Sequence, residues 1–403
     1  MMKSADVSSS TSCLPAPYDQ CNCLRQLVAA WNFSVFLYEQ ADVERVSNFA
    51  ATKLRGMWAG GGNRSLSTFG LFNALFQVPH LDFIFTRDPR WASTFLLPWI
   101  GKVKTSPQTR ISEVRRSLHF AGDRHYFWDR FDSESVPYQN TRSGLPRISA
   151  AKTNWRPINA SLDIACPLPP IKVFDQADDW KVLRPVPYLE LWSRPKLPLS
   201  SSRAYCRPQV AQHELVRRLS EHAASPAKFF LTFRGEVSSH PIRYRLRSLR
   251  GPGVAIQLTC KTEQICKEMH GHSTPDMQRG ALNSSSVYAD LMNSSFVLVP
   301  PGAQPASYRL LEVMSAGAIP VFLESTKPFA DVVAWDDCSV TIPADQMEHA
   351  VQLLRAFSLH QITEMRLSVL RTYYTQLDVT RRLYAETFFL SLLRQWRARR
   401  GWL

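Results

Sequence analysis

Arg309 and Glu312 lie three positions apart, so any helix that carries them places both on one face. An arginine fork suits a diphosphate, and a carboxylate one turn further on suits a ribose diol. The residues before them fit that chemistry. Residues 296–299 are a short apolar run ended by Pro300, Pro301 and Gly302, which reads as a buried strand that stops. Ser307 is a good helix N-cap residue. Leu310, Leu311 and Met314 give helical spacing, and Gly317 is the expected stop. Residues 318–323 read as a second buried strand. The unit is a strand, a glycine-containing loop, a capped helix and a strand. At such a corner, unpaired amide donors and the helix dipole converge into an anion site. A helix that merely caps itself, with an exposed Arg–Glu pair, satisfies the same residues. From these residues alone both readings stand.

The wider pattern resembles the signature of the exostosin family of glycosyltransferases. Its elements stand here as residues 296–300, Gly302, Ser307, Arg309, Glu312, residues 317–321, Pro328 and Phe329, and Trp335. Weaker upstream segments are similar too. Residues 85–98 resemble a family segment in which an arginine–threonine pair, Asp-Pro and Ala-Asp precede an apolar strand. Here the first pair is swapped to Thr86-Arg87, and Ser93 stands for the usual acid. Residues 122–127 resemble a "Gly-Arg-Asp-His-Phe-Phe" segment with Asp123 and Arg124 inverted. Residues 228–235 resemble the strand and glycine that open the nucleotide-binding half. The resemblance covers residues 32 to 357.

It implies a GT-B architecture of the α/β class: two Rossmann-like domains facing a cleft, with C-terminal closing helices. It also implies an inverting transfer of a hexose or pentose from a nucleotide-diphosphate sugar, most simply a UDP-sugar, to a glycan or polysaccharide. Such a transfer needs a stabilised leaving diphosphate, a base for the acceptor hydroxyl, and aligned substrates shielded from water. Metal-dependent transferases hold a cation with Asp-x-Asp, and this chain has none; Asp178-Asp179 and Asp336-Asp337 are adjacent and diverge. The expectation is therefore a metal-free site, with no cofactor beyond the donor. Ser307, Arg309 and Gly302 would take the diphosphate, Arg234, Gly235 and Arg243 would close its other side, and Glu312 would hold the ribose. Residues 317–321, with Gly317, would pack on the nucleotide side. The base is expected from the N-terminal half, where His125 and Asp123 are the candidates; His125 bonding a loop carbonyl is the competing reading. The swapped pairs keep two alternatives open, a non-catalytic partner of a related transferase and a basic glycan-binding protein.

Composition sets the bounds. The chain has 403 residues, a net charge of +14, 45% hydrophobic and 20% charged residues. Two globular domains are the default. A basic balance suits nucleic acid, an anionic membrane, an acidic glycan or a diphosphate donor. No nucleic-acid signature appears, so donor and glycan are the expected partners, with a homo- or hetero-oligomer of related transferases open. The eight cysteines show no metal-ligand spacing. Five of the ten asparagines lie in N-x-S sequons, Asn32, Asn63, Asn159, Asn283 and Asn293, which points to the secretory pathway. Asn32 and Asn293 adjoin expected buried strands, which argues against the use of those two. No run of 18 apolar residues exists. The exostosin likeness implies a Golgi enzyme with an N-terminal anchor, whereas the start of this chain lacks the apolar core of a signal peptide.

The elements that must position these residues follow from periodicity. Residues 1–24 are rich in Ser and Cys and are expected to be unordered. Residues 25–207 form the acceptor-side domain, with strands near residues 33–38, 82–85 and 93–98, helices at 40–57, 66–78 and 111–120, and a long Pro-rich irregular region after residue 129. Residues 208–363 form the donor domain. There strands at 229–233, 254–260, 296–299, 318–323 and 338–342 alternate with helices, as a doubly wound parallel sheet requires. Residues 364–403 are expected to close the fold as one or two amphipathic helices.

Overall fold

The computed structural model describes residues 20–38, 79–99, 125–129, 147–149, 164–165, 172–174, 183–185, 209–237, 240–259, 285–302, 309–323, 327–378 and 383–400. The expected helices at 40–57, 66–78 and 111–120 lie outside them. Two parallel sheets organise the chain, as in a GT-B fold.

The first sheet holds six strands: β1 (Val35–Leu37), β2 (Phe85–Thr86), β3 (Thr94–Trp99), β4 (His125–Asp129), β5 (Arg147–Ser149) and β6 (Ile164–Ala165). Their spatial order is β2-β1-β3-β4-β5-β6, and every pairing is parallel. Helix α1 (Gln20–Ala30) precedes it, starting inside the segment expected to be unordered. Leu24 and Val28 are buried, four residues apart, and their pairing on one helix face draws the segment onto the core. The region after residue 129, expected to be irregular, contains β5, β6 and an antiparallel pair, β7 (Lys172–Phe174) and β8 (Leu183–Pro185). Such short strands carry too few residues to show a period.

The second sheet holds β9 (Phe229–Glu236), β10 (Val254–Thr259), β11 (Ser294–Val299), β12 (Ile319–Leu323) and β13 (Val340–Ile342) in the order β10-β9-β11-β12-β13, again all parallel. β12 is buried at every position and β11 at all but one, which is why both read as unbroken apolar runs rather than alternating ones. Helices α2 (Gln209–Ala224), α3 (Pro241–Arg245), α4 (Ser285–Met292), α5 (Arg309–Ser315), α6 (Ala350–Arg355) and α7 (Leu359–Thr372) accompany it.

Helix α8 (Leu383–Arg399) ties the halves together. Its Ser391 hydroxyl donates to Asp331 Oδ1 at 2.8 Å, and Arg394 donates to the Asp331 carbonyl. From the same helix, Phe389 meets Phe85 edge-on at 5.4 Å and Trp396 meets Phe33 at 5.1 Å. The closing helices of the sequence reading are thus one helix on the donor sheet and one bridging both units. Among the described residues, no helix is long and apolar enough to cross a membrane.

Candidate active site

The order of the second sheet has a chemical consequence. Its strands run second, first, third, fourth, fifth across the sheet, so the direction of winding reverses between β9 and β11. In open parallel sheets, ligands bind outside the carboxyl ends of the strands at that reversal. The carboxyl ends here are Gly235 and Glu236 on β9 and Pro300–Gly302 after β11. Most of the described sequence candidates meet at this corner.

Arg243 is delivered by α3. That helix starts because His240 accepts the Ile242 N–H at its Nδ1 and Pro241 sits where no amide donor is needed. One turn on, Arg243 is folded inward and only 6% exposed. Its Nε donates to the Pro301 carbonyl at 2.8 Å and its Nη1 to the Glu236 carbonyl at 2.9 Å, lacing the two strand ends together. Arg309, first residue of α5, comes from the other side and donates through Nη2 to the Arg234 carbonyl.

Both guanidinium groups lie against one ring. Arg309 Cζ is 4.7 Å and Arg243 Cζ 5.6 Å from the Phe233 centroid. The phenyl face supports both guanidinium charges. Burial, and secondly the charge of Arg309, lower the pKa of Arg243 to about 10, with Glu236 pulling the other way. Gly235 completes the corner. A Cβ there would stand 2.9 Å from Phe233 Cζ, 3.2 Å from Arg309 Nη2 and 3.3 Å from Arg243 Nη1. A glycine lets both guanidinium groups close over the strand end.

Other candidates take defined places. Arg234 gives this corner its backbone carbonyl; strand alternation sends its side chain to the face opposite Phe233 and Gly235. Gly302 is half-buried just beyond Pro301. Glu312 is buried one turn along α5 from Arg309. Gly317 lies at the far end of α5. It is left-handed, with φ 71°, and a Cβ would be 2.8 Å from Leu370. The Gly317 N–H bonds the Met314 carbonyl and the Ala318 N–H the Val313 carbonyl, a helix stop that explains the glycine without a ligand. His125 begins β4 opposite Phe95, four residues before the carboxyl end of that strand at Asp129. Ser307 and Asp123 lie outside the described residues, and among those described no cluster of three His, Cys, Asp or Glu side chains is placed to hold a metal.

The later signature residues build structure. Trp335, 3% exposed, donates its indole N–H to the Pro328 carbonyl at 2.6 Å and packs edge-on to Phe322. Phe329 is buried with φ 49° against Tyr384. Asp331 anchors α8, and Asp336 pairs with Lys327 at 2.7 Å. Sequence reasoning missed Phe233. Its signal was an aromatic residue directly before Arg234-Gly235, disguised by the apolar run around it.

Residues 201–357 match the Exostosin GT47 domain. The chain carries an exostosin-family glycosyltransferase domain. Its matches agree. It is 33% identical over 87 residues to a "Probable glycosyltransferase" of Arabidopsis thaliana, covering 21% of this chain and 17% of that protein. It is 27% identical over 152 residues to Exostosin-2 of Bos taurus, covering 37% and 21%, and 29% identical over 85 residues to the Exostosin-1 homolog of Caenorhabditis elegans, covering 21% and 22%. The matched stretch thus spans about a fifth of each relative's own length. A solved glycosyltransferase from Rickettsia africae overlaps 91% of this chain and 98% of its own at a TM-score of 0.38 and 9% identity. The exostosin match contains the entire corner between β9 and β11.

Proposed function

We propose that this exostosin domain transfers a sugar, with inversion, from a UDP-sugar to a glycan or polysaccharide acceptor without a metal ion. The convergence of Arg243, Arg309 and Gly235 on the winding reversal of the donor sheet carries this reading. Two cations, one buried and one half-buried, at the strand ends suit a ligand of high negative charge. A pyrophosphate supplies that charge and gains more as the glycosidic bond breaks. Arg309 and Arg243 would hold the two phosphates, their forks fixed in advance by the carbonyls of residues 234, 236 and 301. The Glu312 carboxylate would accept from the ribose hydroxyls. The acceptor would approach from the first sheet, and its proton would pass to a base outside this corner.

The secretory-pathway reading, with the Golgi as the expected compartment and a related transferase as a possible partner subunit, belongs to the same proposal. It rests on the sequons and on the exostosin match.

Calorimetric titration of the full chain with UDP, with and without EDTA, tests the site. Micromolar binding unaffected by EDTA, weakened tenfold or more in Arg309→Ala and in Glu312→Ala, is the expected result, each tenfold being about 1.4 kcal/mol. Unchanged affinity in Glu312→Ala sinks the ribose assignment. Hydrolysis of a panel of UDP-sugars then identifies the donor.

A further inference from the structure

Helix α1 ends in a Schellman turn. The Phe33 N–H bonds the Val28 carbonyl at 3.0 Å and the Asn32 N–H the Ala29 carbonyl at 3.3 Å. Asn32 holds the left-handed position, with φ 47°. The turn asks only for a residue that tolerates this conformation, and glycine would serve. Asn32 was expected to adjoin a buried strand. Instead β1 begins at Val35, and Asn32 is exposed with no side-chain hydrogen bond to the described residues. Residues 32–34 read Asn-Phe-Ser, the acceptor pattern for N-linked glycan.

A second observation lies beside it. The Ser34 hydroxyl donates to the Trp91 carbonyl at 2.5 Å, the Ser34 N–H donates to Ser93 Oγ at 3.2 Å, and Ser93 Oγ donates to the Asn32 carbonyl at 3.3 Å. The Trp91 N–H bonds the Asp88 carbonyl at 3.1 Å. The backbone of Trp91 is therefore pinned to the sequon, yet the residue is 74% exposed. An uncovered indole on a held backbone offers a flat apolar face to a neighbouring group.

We infer that Asn32 carries an N-linked glycan and that the apolar face of its first N-acetylhexosamine rests on Trp91. The bond formed joins Asn32 Nδ2 to the anomeric carbon. The bond broken is that carbon's link to a lipid diphosphate, which departs with the amide proton; the host supplies this lipid-linked oligosaccharide. Attachment precedes folding, and the fold then leaves room for the product. Asn293 is exposed too, and its Oδ1 accepts the Lys228 N–H at 3.3 Å. The inference is independent of donor binding and survives if UDP fails to bind.

The test uses the full chain secreted from eukaryotic cells behind a cleavable signal peptide. Amidase release of glycans in heavy-oxygen water should label Asn32. Hydroxyl-radical footprinting should find Trp91 protected, and its oxidation should rise several-fold in Asn32→Gly, which keeps the left-handed turn. Amidase treatment of the folded wild type should give the same rise without a substitution. An unlabelled Asn32 in the secreted protein overturns the site, and equal oxidation of Trp91 with and without glycan overturns the stacking.

Discussion

Arg243 and Arg309 share the ring of Phe233, and the charge of Arg309 makes that of Arg243 harder to keep. Burial is the larger cause, and together they bring the Arg243 pKa down from its ordinary value to about 10. In the unfolded chain it returns to its ordinary value. Between those two values the unfolded state holds a proton that the native state has released. The cost of burying the charge is therefore complete below pH 10 and is relieved as pH rises from there towards the ordinary arginine value. Stability from this group increases with pH in that window, by up to about 1.4 kcal/mol per unit. Urea unfolding of wild type and Arg243→Met at pH 9, 10 and 11 isolates it by difference. The difference should move in favour of the wild type by roughly 1 kcal/mol from pH 10 to 11, whereas a flat difference would mean an unperturbed guanidinium.

Gly235→Ala probes the same corner sterically. The added methyl meets Phe233 at 2.9 Å and both guanidinium groups within 3.3 Å, so ring and forks must all shift. Overpacking of this kind costs about 1–3 kcal/mol of stability. UDP affinity should fall by about tenfold or more, because two pre-set donors lose their aim together. Thermal unfolding and calorimetry on one preparation separate the effects. Full affinity in a destabilised variant would place the diphosphate elsewhere.

A contrasting pair should leave ligand binding intact. Arg366, 5% exposed, donates to the carbonyls of Gly317, Ala223 and Ser225 at 3.1, 2.9 and 2.6 Å. It closes the ends of α2 and α5 at once, and His222 Nε2 adds a contact to the Ala316 carbonyl at 2.9 Å. Arg366→Met removes the donors to these three carbonyls and to that of His222 and should cost roughly 3–5 kcal/mol. Gly317→Ala forces a methyl towards Leu370 at an unfavourable φ and should cost at least about 1–3 kcal/mol. Denaturant titration gives both numbers. UDP affinity per folded molecule should match wild type, since both residues lie at the other end of α5 from Arg309.

These outcomes mark what the sequence could reveal. The alternation of strands and helices from residue 209 onward is carried by buried apolar runs and glycine stops, so that sheet was legible to within a few residues. The extension of β9 through Arg234 and Gly235 was not, because a charged residue and a glycine look like a strand's end. Arg309 and Gly235 could be chosen by pattern, but their meeting on Phe233 depends on register between strands 65 residues apart, with Ser294 opposite Phe229. The place of His125 was equally hidden, because its distance from the carboxyl edge follows from its pairing with Phe95. Gly317 and Trp335 match the exostosin pattern for reasons of packing, which residue type alone does not distinguish from binding.

The bridging helix supplies a final prediction. Phe389 is fully buried and Trp396 5% exposed, and both reach residues of the first unit, Phe85 and Phe33. Arg397 adds a guanidinium 4.2 Å from the Trp31 ring. On the other side Asp331 fastens α8 to the donor unit through Ser391 and Arg394. Among the described residues, aromatic contacts along this helix thus couple the two units, beside the approach of α5 to β7. Phe389→Ala should cost about 3–5 kcal/mol, as large buried rings do when truncated. Phe389→Ala with Trp396→Ala should go further and split a single calorimetric unfolding transition into two, because these rings join the first sheet's part of the core to the second's. UDP should raise only the transition of the unit that contains Arg309. One persistent transition in the double variant would show that other contacts carry the coupling.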